Sequence, residues 1–152
     1  MRTIKTRAVS LLGLCLVAGL ALTACSSTNQ ASQDYIDALN TFTNTTNALG
    51  TQESADLTAL QKDVKAALPQ MESELSAMQA IQPELDETAA PVAAEATASA
   101  QTLIDALEDL RKAIKNENRA KAEAAVAQYE EAGAALQSQI ETWNEQVATE
   151  VG

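Results

Sequence analysis

Apolar residues recur at intervals of three and four along four stretches of the chain. This spacing places them on one face of an α-helix, so it predicts four amphipathic helices. The predicted stripes are Tyr35, Ile36, Leu39, Phe42, Thr46 and Leu49 in the first helix, Leu57, Leu60, Val64, Leu68, Met71, Leu75, Met78 and Ile81 in the second, Val92, Ala96, Ala100, Leu103, Leu107, Leu110 and Ile114 in the third, and Ala122, Val126, Tyr129, Gly133, Leu136, Ile140, Trp143 and Val147 in the fourth.

Local signals predict where the first two helices begin and end. Ser32 is a good N-cap for the first helix, and Gly50 is a suitable residue to end it. The second helix is expected to start near Ser54. Pro69 removes a backbone donor and clashes with the preceding turn, so we expect a kink or break near Leu68. The apolar stripe keeps its phase across Pro69, which favours a kink over a reversal of the chain.

Two short polar segments are the predicted connections between the later helices. Residues 83–91 contain two prolines and three acids and are expected to join the second helix to the third. At residues 115–119 the apolar register slips by one position. Asn116 can end a helix and Asn118 can cap the next one, which indicates a tight antiparallel hairpin. The alternative is one uninterrupted helix about 85 Å long.

Short connections make neighbouring helices antiparallel, so the fold class expected is all-α, an up-down bundle of four helices with a Pro-kinked second helix. A three-helix bundle with the first helix as a loose stalk is the alternative. The first half of the third helix is lined by alanine and is expected to pack weakly. The same spacing of three and four residues also serves a coiled coil, so the sequence leaves the oligomeric state open.

Composition supports the helical prediction and excludes some partners. Alanine, the strongest helix former, is abundant, and aromatic residues make up only 3% of the chain. The net charge is -11, and three of the 10 basic residues precede Cys25, where there is no acid. The seven that remain, against 21 acids, give a side-chain balance of -14. Such a surface repels nucleic acid, which is not an expected partner.

The first 25 residues have three parts in a recognisable order. Residues 1–7 carry three positive charges and residues 8–21 form an apolar run, the pattern of a secretory signal peptide. This run is shorter than the ~20 residues that a permanent membrane span needs. It ends in Leu22, Thr23, Ala24 and Cys25. These four residues resemble a lipobox, the recognition sequence of bacterial lipoproteins.

The lipobox resemblance implies an anchor and a location. In that family the cysteine thiol, here Cys25, receives a diacylglyceryl group, and a signal peptidase that recognises Leu22, Thr23 and Ala24 cuts before it. The resemblance also implies how the chain is divided. Residues 1–24 would be a signal peptide that is removed, residues 25–31 the lipidated cysteine with a short polar tether, and residues 32–152 the helical domain. The expected location is the extracytoplasmic face of the cell membrane, or the outer membrane in a diderm host, because Ser26 resembles the residue of the outer-membrane default.

The residue inventory argues against an enzyme. The chain has no histidine, the usual group that titrates near neutral pH, and the one cysteine of the mature chain is expected to be lipidated. We therefore expect no catalytic residues, no cofactor and no metal site. Small clusters of acids, such as Glu72 with Glu74, are interpreted as solvated helix faces. Paired acids that hold calcium or run glycoside hydrolysis are the least favoured alternative.

Five basic residues are concentrated around the predicted hairpin. Arg111, Lys112, Lys115, Arg119 and Lys121 would gather at one end of the bundle, where they are candidates for contact with an envelope protein or an anionic wall polymer. The expected function is a lipid-anchored interaction or structural module of the cell envelope. One alternative is a lipoprotein that binds a small ligand in a pocket between helices near Pro69. A membrane-tethered coiled-coil spacer is a further alternative.

Overall fold

The computed structural model describes residues 30–50 and 57–147, and this part of the chain is almost entirely helical. It contains four α-helices and one short 3₁₀ helix and no strand. The helices are α1 Gln30–Gly50, α2 Leu57–Ile81, a 3₁₀ turn Gln82–Glu84, α3 Ala89–Lys115 and α4 Arg119–Gln146. The prediction of an all-α bundle is confirmed. The predicted start of the second helix near Ser54 lies outside the described residues.

The first helix includes two residues that were expected to belong to the tether. It is helical from Gln30, where the Gln30 amide Nε2 donates to Asp34 Oδ1 one turn later at 2.7 Å. Ser32 therefore lies inside the first turn, and the prediction that it caps α1 is wrong. Its side chain is 1% exposed and packs toward the bundle interior, which explains why this small residue occupies the position.

Pro69 does not interrupt the second helix. Residues from Leu57 to Ile81 form one continuous helix that contains Pro69, so the chain neither breaks nor reverses there. Pro69 itself is exposed, and so is Lys65, whose carbonyl oxygen would have accepted the missing hydrogen bond. Because this carbonyl belongs to an exposed residue, water can replace the lost donor. The buried stripe on the opposite face continues unbroken from Leu68 to Met71.

Asp86 organises the turn between α2 and α3. Its side-chain Oδ1 accepts hydrogen bonds from the backbone N–H groups of Thr88 at 3.0 Å and Ala89 at 2.8 Å. Its backbone carbonyl accepts from Ala90 N at 2.9 Å. An aspartate in this position satisfies free N–H groups of the first turn and favours the helix dipole. The connection is shorter than the predicted residues 83–91, because α3 already begins at Ala89, and it ends with an acidic cap on α3.

The hairpin between α3 and α4 is present as predicted. Asn116 ends α3, and the Asn118 side chain caps α4 by accepting a hydrogen bond from Lys121 N at 3.0 Å. Two backbone bonds close the turn, from Glu117 N to Ile114 O at 3.1 Å and from Asn118 N to Ala113 O at 2.9 Å. This pair of bonds is a Schellman motif. The uninterrupted long helix is therefore the wrong alternative.

Glu117 has a backbone conformation that glutamate rarely adopts. Its φ angle is +50°, in the left-handed region, and no other non-glycine residue in the described part of the chain has a positive φ. The Schellman motif requires this conformation at the residue after the helix end, and glycine normally supplies it. The hairpin therefore forms despite local strain at Glu117.

The alanine-rich face of α3 is buried in the bundle. The contact between α3 and α4 is the most extensive of any pair of described elements. Ala93, Ala96 and Ala100 of α3 and Gly133 of α4 are buried. Side chains this small allow helix backbones to come close together. The first half of α3 is therefore covered by other parts of the chain, and its weak packing stays a prediction.

The first helix is an integral part of the core. Tyr35 and Phe42 are fully buried, so the three-helix alternative with α1 as a loose stalk is wrong. The Tyr35 ring stacks on Trp143 of α4 with ring centroids 5.3 Å apart. Its hydroxyl oxygen lies 2.8 Å from Ala93 O and 2.9 Å from Thr97 Oγ1, both on α3. One tyrosine thus links α1 to two other helices.

Burial has a direct electrostatic effect on both tyrosines. It raises the pKa of Tyr35 to about 12, an effect only partly opposed by the hydrogen bond with Thr97. Burial also raises the pKa of Tyr129. The charged phenolate is disfavoured because the surrounding helices exclude water from the oxygen.

Candidate functional site

The five predicted contact residues lie together at one end of the bundle. Arg111, Lys112 and Lys115 occupy the last turns of α3, while Arg119 and Lys121 occupy the first turn of α4. We call this set of five residues the hairpin end. Gln61 Nε2 of α2 lies 3.5 Å from the backbone oxygen of Arg111, so the start of α2 lies at the same end.

Local acids pair with only part of the hairpin end. Lys112 Nζ lies 2.8 Å from Glu108 Oε2 and 3.4 Å from Asp109 Oδ1, and Arg119 Nε lies 2.6 Å from Glu123 Oε1. These exposed pairs contribute little to stability. The hydrogen bond that Lys112 Nζ donates to the Glu108 carboxylate raises the pKa of Lys112.

Three groups of the hairpin end have no partner among the residues that the structure describes. Lys115 and Lys121 are exposed and make no ion pair within residues 30–50 and 57–147. The Arg111 Nε atom is buried and has no hydrogen-bond acceptor there. The two ammonium groups are therefore available to anionic groups of another molecule, whereas the buried Arg111 Nε is not.

Basic residues are absent from the opposite half of the described structure. In addition to the hairpin end, the two remaining lysines of the described chain, Lys62 and Lys65, lie near the start of α2 and thus in the same half. The charged residues in the other half of the described structure are all acidic. We call this set the acidic end: Asp34, Asp37, Glu72, Glu74, Glu84, Asp86, Glu87, Glu95, Glu141 and Glu145.

A groove open to solvent runs between α1 and α2 beside Pro69. Its volume is about 500 Å³. We call it the α1–α2 groove. Its polar lining consists of Thr41, Asn44, Thr45, Asp63 and Gln70. Asp63 is the one charged residue in this lining, which gives the groove a negative character.

Glu74 lies one turn beyond the groove and is buried. Its side-chain Oε1 accepts hydrogen bonds from Thr45 Oγ1 and Gln70 Nε2, each at 2.9 Å. Its second oxygen, Oε2, is buried and has no hydrogen-bond partner among the described residues. The residue is 9% exposed, so the interpretation of Glu74 as part of a solvated face is wrong.

A sequence signal for the burial of Glu74 does exist. Glu74 follows Met71 by three residues and precedes Met78 by four, so all three share one helix face. Both methionines are fully buried. Glu72, in contrast, is exposed as predicted. The hydrogen bonds with Thr45 could not be predicted, because they join residues that are distant in the chain.

Comparisons with known proteins assign this chain to no group. No family model, no curated protein and no solved structure matches it at a significant level. Within the described ranges, no helix is long and apolar enough to cross a membrane. The same ranges contain no group of three or more acids suited to hold a metal ion. The predicted lipobox residues 22–25 lie outside the described part.

Proposed function

We propose that this chain is a lipid-anchored extracytoplasmic lipoprotein that acts as an interaction or structural module of the cell envelope. The anchor is proposed on Cys25, because Leu22, Thr23 and Ala24 precede it after a basic segment and an apolar run. In a diderm host, Ser26 favours the outer membrane as the site of the anchor. The module is the helical bundle that begins at Gln30.

The direction of the helices supports a defined orientation. Gln30 follows Cys25 by five residues, which span at most about 18 Å. The start of α1 is thus held close to the lipid, and Tyr35 shows that the starts of α1 and α3 lie at the same end of the bundle. The hairpin lies at the other end of α3. Because α3 has 27 residues, the hairpin is about 40 Å from the end at which α1 and α3 begin.

The observation that carries the interaction role is the uneven distribution of basic residues along this axis, because acidic residues occur in both halves. All lysines and arginines of the described residues lie in the half that contains the hairpin end. The short tether proposed at Cys25 would hold the acidic end at the membrane. Lys115 and Lys121 lie at the opposite end of the bundle, so they would be directed outward. An acidic envelope protein or an anionic wall polymer fits this surface.

Metabolic labelling with a palmitate analogue tests the anchor. Wild-type chain should incorporate the label, and Cys25→Ala should lose it, because the acylated thiol is absent. Cys15→Ala is the matched control, since it removes a cysteine from the same segment and should keep the label. Labelling of Cys25→Ala at the wild-type level would contradict the proposal.

Sedimentation of the lipidated protein with purified cell-wall polymer tests the contact surface. The double variant Lys115→Glu with Lys121→Glu should bind less, and the loss should shrink at high salt. The variant with arginine at both positions keeps the charge and should bind like wild type. Equal binding by all three proteins would exclude the hairpin end as the contact surface for this polymer.

A further inference from the structure

We propose that the α1–α2 groove binds a small aliphatic amine, with the protonated amine at the Glu74 end. This site is separate from the hairpin end, and the inference does not depend on the lipid anchor. It rests on three observations: an open groove of about 500 Å³, a buried carboxylate oxygen without a donor beside it, and a lining without a basic residue.

Only one of the two oxygens of the Glu74 carboxylate accepts hydrogen bonds from the described residues. Thr45 and Gln70 both donate to Oε1, and Gln70 Nε2 also donates to Thr45 Oγ1 at 3.1 Å. Oε2 receives no hydrogen bond within the described residues. A buried carboxylate oxygen without a donor is energetically unfavourable. A ligand that brings a charged N–H donor to Oε2 relieves this cost.

Glu74 itself does not line the groove, so the donor reaches it past two groove residues. Thr45 and Gln70 belong both to the groove lining and to the hydrogen-bond network around Glu74. Gln70 is exposed, so its side chain can turn aside without unpacking the core. An ammonium group that displaces the Gln70 amide can take over its hydrogen bonds to Glu74 Oε1 and Thr45 Oγ1, and its third N–H can then donate to Oε2 of the same carboxylate. An ammonium group carries three donors, which suits a site built from acceptors.

The rest of the groove fits an aliphatic chain. Ala66 and Ala67 of α2 contribute apolar surface between Asp63 and Gln70. Asp63 lies two helical turns, about 10 Å, from Gln70 along α2. A second amine on the ligand can therefore pair with Asp63. Lys62 and Lys65 are neighbours of Asp63 in sequence but do not line the groove.

The probe for this site is 1,5-diaminopentane, titrated into the full mature chain in detergent at about 0.15 M ionic strength, which weakens non-specific attraction to the acidic surface. Calorimetry should show saturable binding, and NMR should show shifts of the Thr45 and Gln70 resonances. The uncharged analogue 1,5-pentanediol should not bind. Absence of saturable binding, or equal binding of the diol, would overturn the proposal.

Two variants separate the groove from general electrostatics. Glu74→Gln keeps the side-chain shape and should weaken binding by about tenfold or more, which corresponds to ~1.4 kcal/mol. Glu72→Gln removes the same charge from an exposed position two residues away and should change the affinity less than about twofold. Equal losses in the two variants would show that the amine binds the acidic surface and not the groove. Circular dichroism establishes that both variants are folded, and the NMR shifts of wild type test the site independently.

Discussion

Replacement of Glu117 by glycine should stabilise this protein. Glu117 adopts a φ of +50° at the end of α3, and its side chain is exposed. The substitution removes the Cβ atom that makes the left-handed conformation unfavourable and keeps both backbone hydrogen bonds of the hairpin. No buried contact is lost. The change therefore acts on backbone strain alone, apart from the loss of one surface charge.

The expected gain follows from two opposing effects. Relief of the left-handed conformation contributes roughly 1–2 kcal/mol for a residue with a Cβ atom. Glycine also has more freedom in the unfolded chain, which reduces the gain by about 0.5–1 kcal/mol. The net increase in the free energy of unfolding should be about 0.5–1 kcal/mol. For a domain of this size, Tm should rise by roughly 2–4 °C.

Two further variants make the measurement specific. Glu117→Ala removes the charge but keeps the Cβ atom, so it should not reproduce the gain. Asn116→Gly places glycine one residue earlier, where φ is -94° and no strain is relieved. That variant should lose about 0.5–1 kcal/mol through the entropy of the unfolded state. Urea unfolding followed by circular dichroism measures all three differences.

The result that would refute this reasoning is a loss of stability in Glu117→Gly. If α3 and α4 were one continuous helix, glycine at residue 117 would lie in a helix interior and cost about 1 kcal/mol. The same outcome would be expected for Asn116→Gly. The sign of the Glu117→Gly effect therefore distinguishes the hairpin from the long helix.

Three other predictions concern the core. Tyr35→Phe keeps the ring stack on Trp143 but removes the hydroxyl bonded to α3. Urea unfolding should therefore show a loss of about 1 kcal/mol in the free energy of unfolding, and a double-mutant cycle with Thr97→Val should show coupling between the two residues. At alkaline pH, the native state keeps the Tyr35 proton up to about pH 12, whereas the unfolded chain releases it near pH 10.0. The free energy of unfolding should therefore fall between these two pH values, and ultraviolet absorbance should detect tyrosinate only as the chain unfolds. Gly133→Leu should lose roughly 1–3 kcal/mol in thermal unfolding, because a large side chain at this buried position must displace its neighbours, and an unchanged Tm would contradict the burial of Gly133.

The sequence predicted the elements whose signals are local. The register of α4 is correct, because Tyr129, Leu136 and Trp143 repeat in steps of seven and all three are buried. The hairpin was also predictable, because Asn116 and Asn118 are suited to end one helix and begin the next. The Schellman turn was not, since its left-handed position is occupied by glutamate and not by glycine.

The errors arise where packing overrides local preference. Ser32 was a good N-cap by type, but the helix begins earlier and the residue is used as a small buried side chain. Alanine at residues 93, 96 and 100 suggested weak packing, yet all three side chains are buried. Pro69 suggested a kink or break, and the break is absent because water can replace the missing donor on an exposed face, while the kink stays a prediction.

The candidate sites differ in how far they could be predicted. The hairpin end followed from the position of five basic residues in the sequence and one predicted turn. The α1–α2 groove did not, because it depends on the relative placement of Thr45 and Glu74, which are 29 residues apart. Only the tertiary arrangement brings these side chains together.

The height of each end of the bundle above a lipid surface tests the central claim. Cys25 is proposed to be acylated, so a cysteine introduced at Glu84 or at Lys121 carries the one free thiol of the mature chain and accepts a fluorescent donor. In vesicles that contain an acceptor lipid, the account predicts strong energy transfer from position 84 and much weaker transfer from position 121, because the two ends differ in height by about 40 Å. Equal transfer from both positions, or no transfer from either, would contradict a lipid-anchored bundle that presents its hairpin end outward.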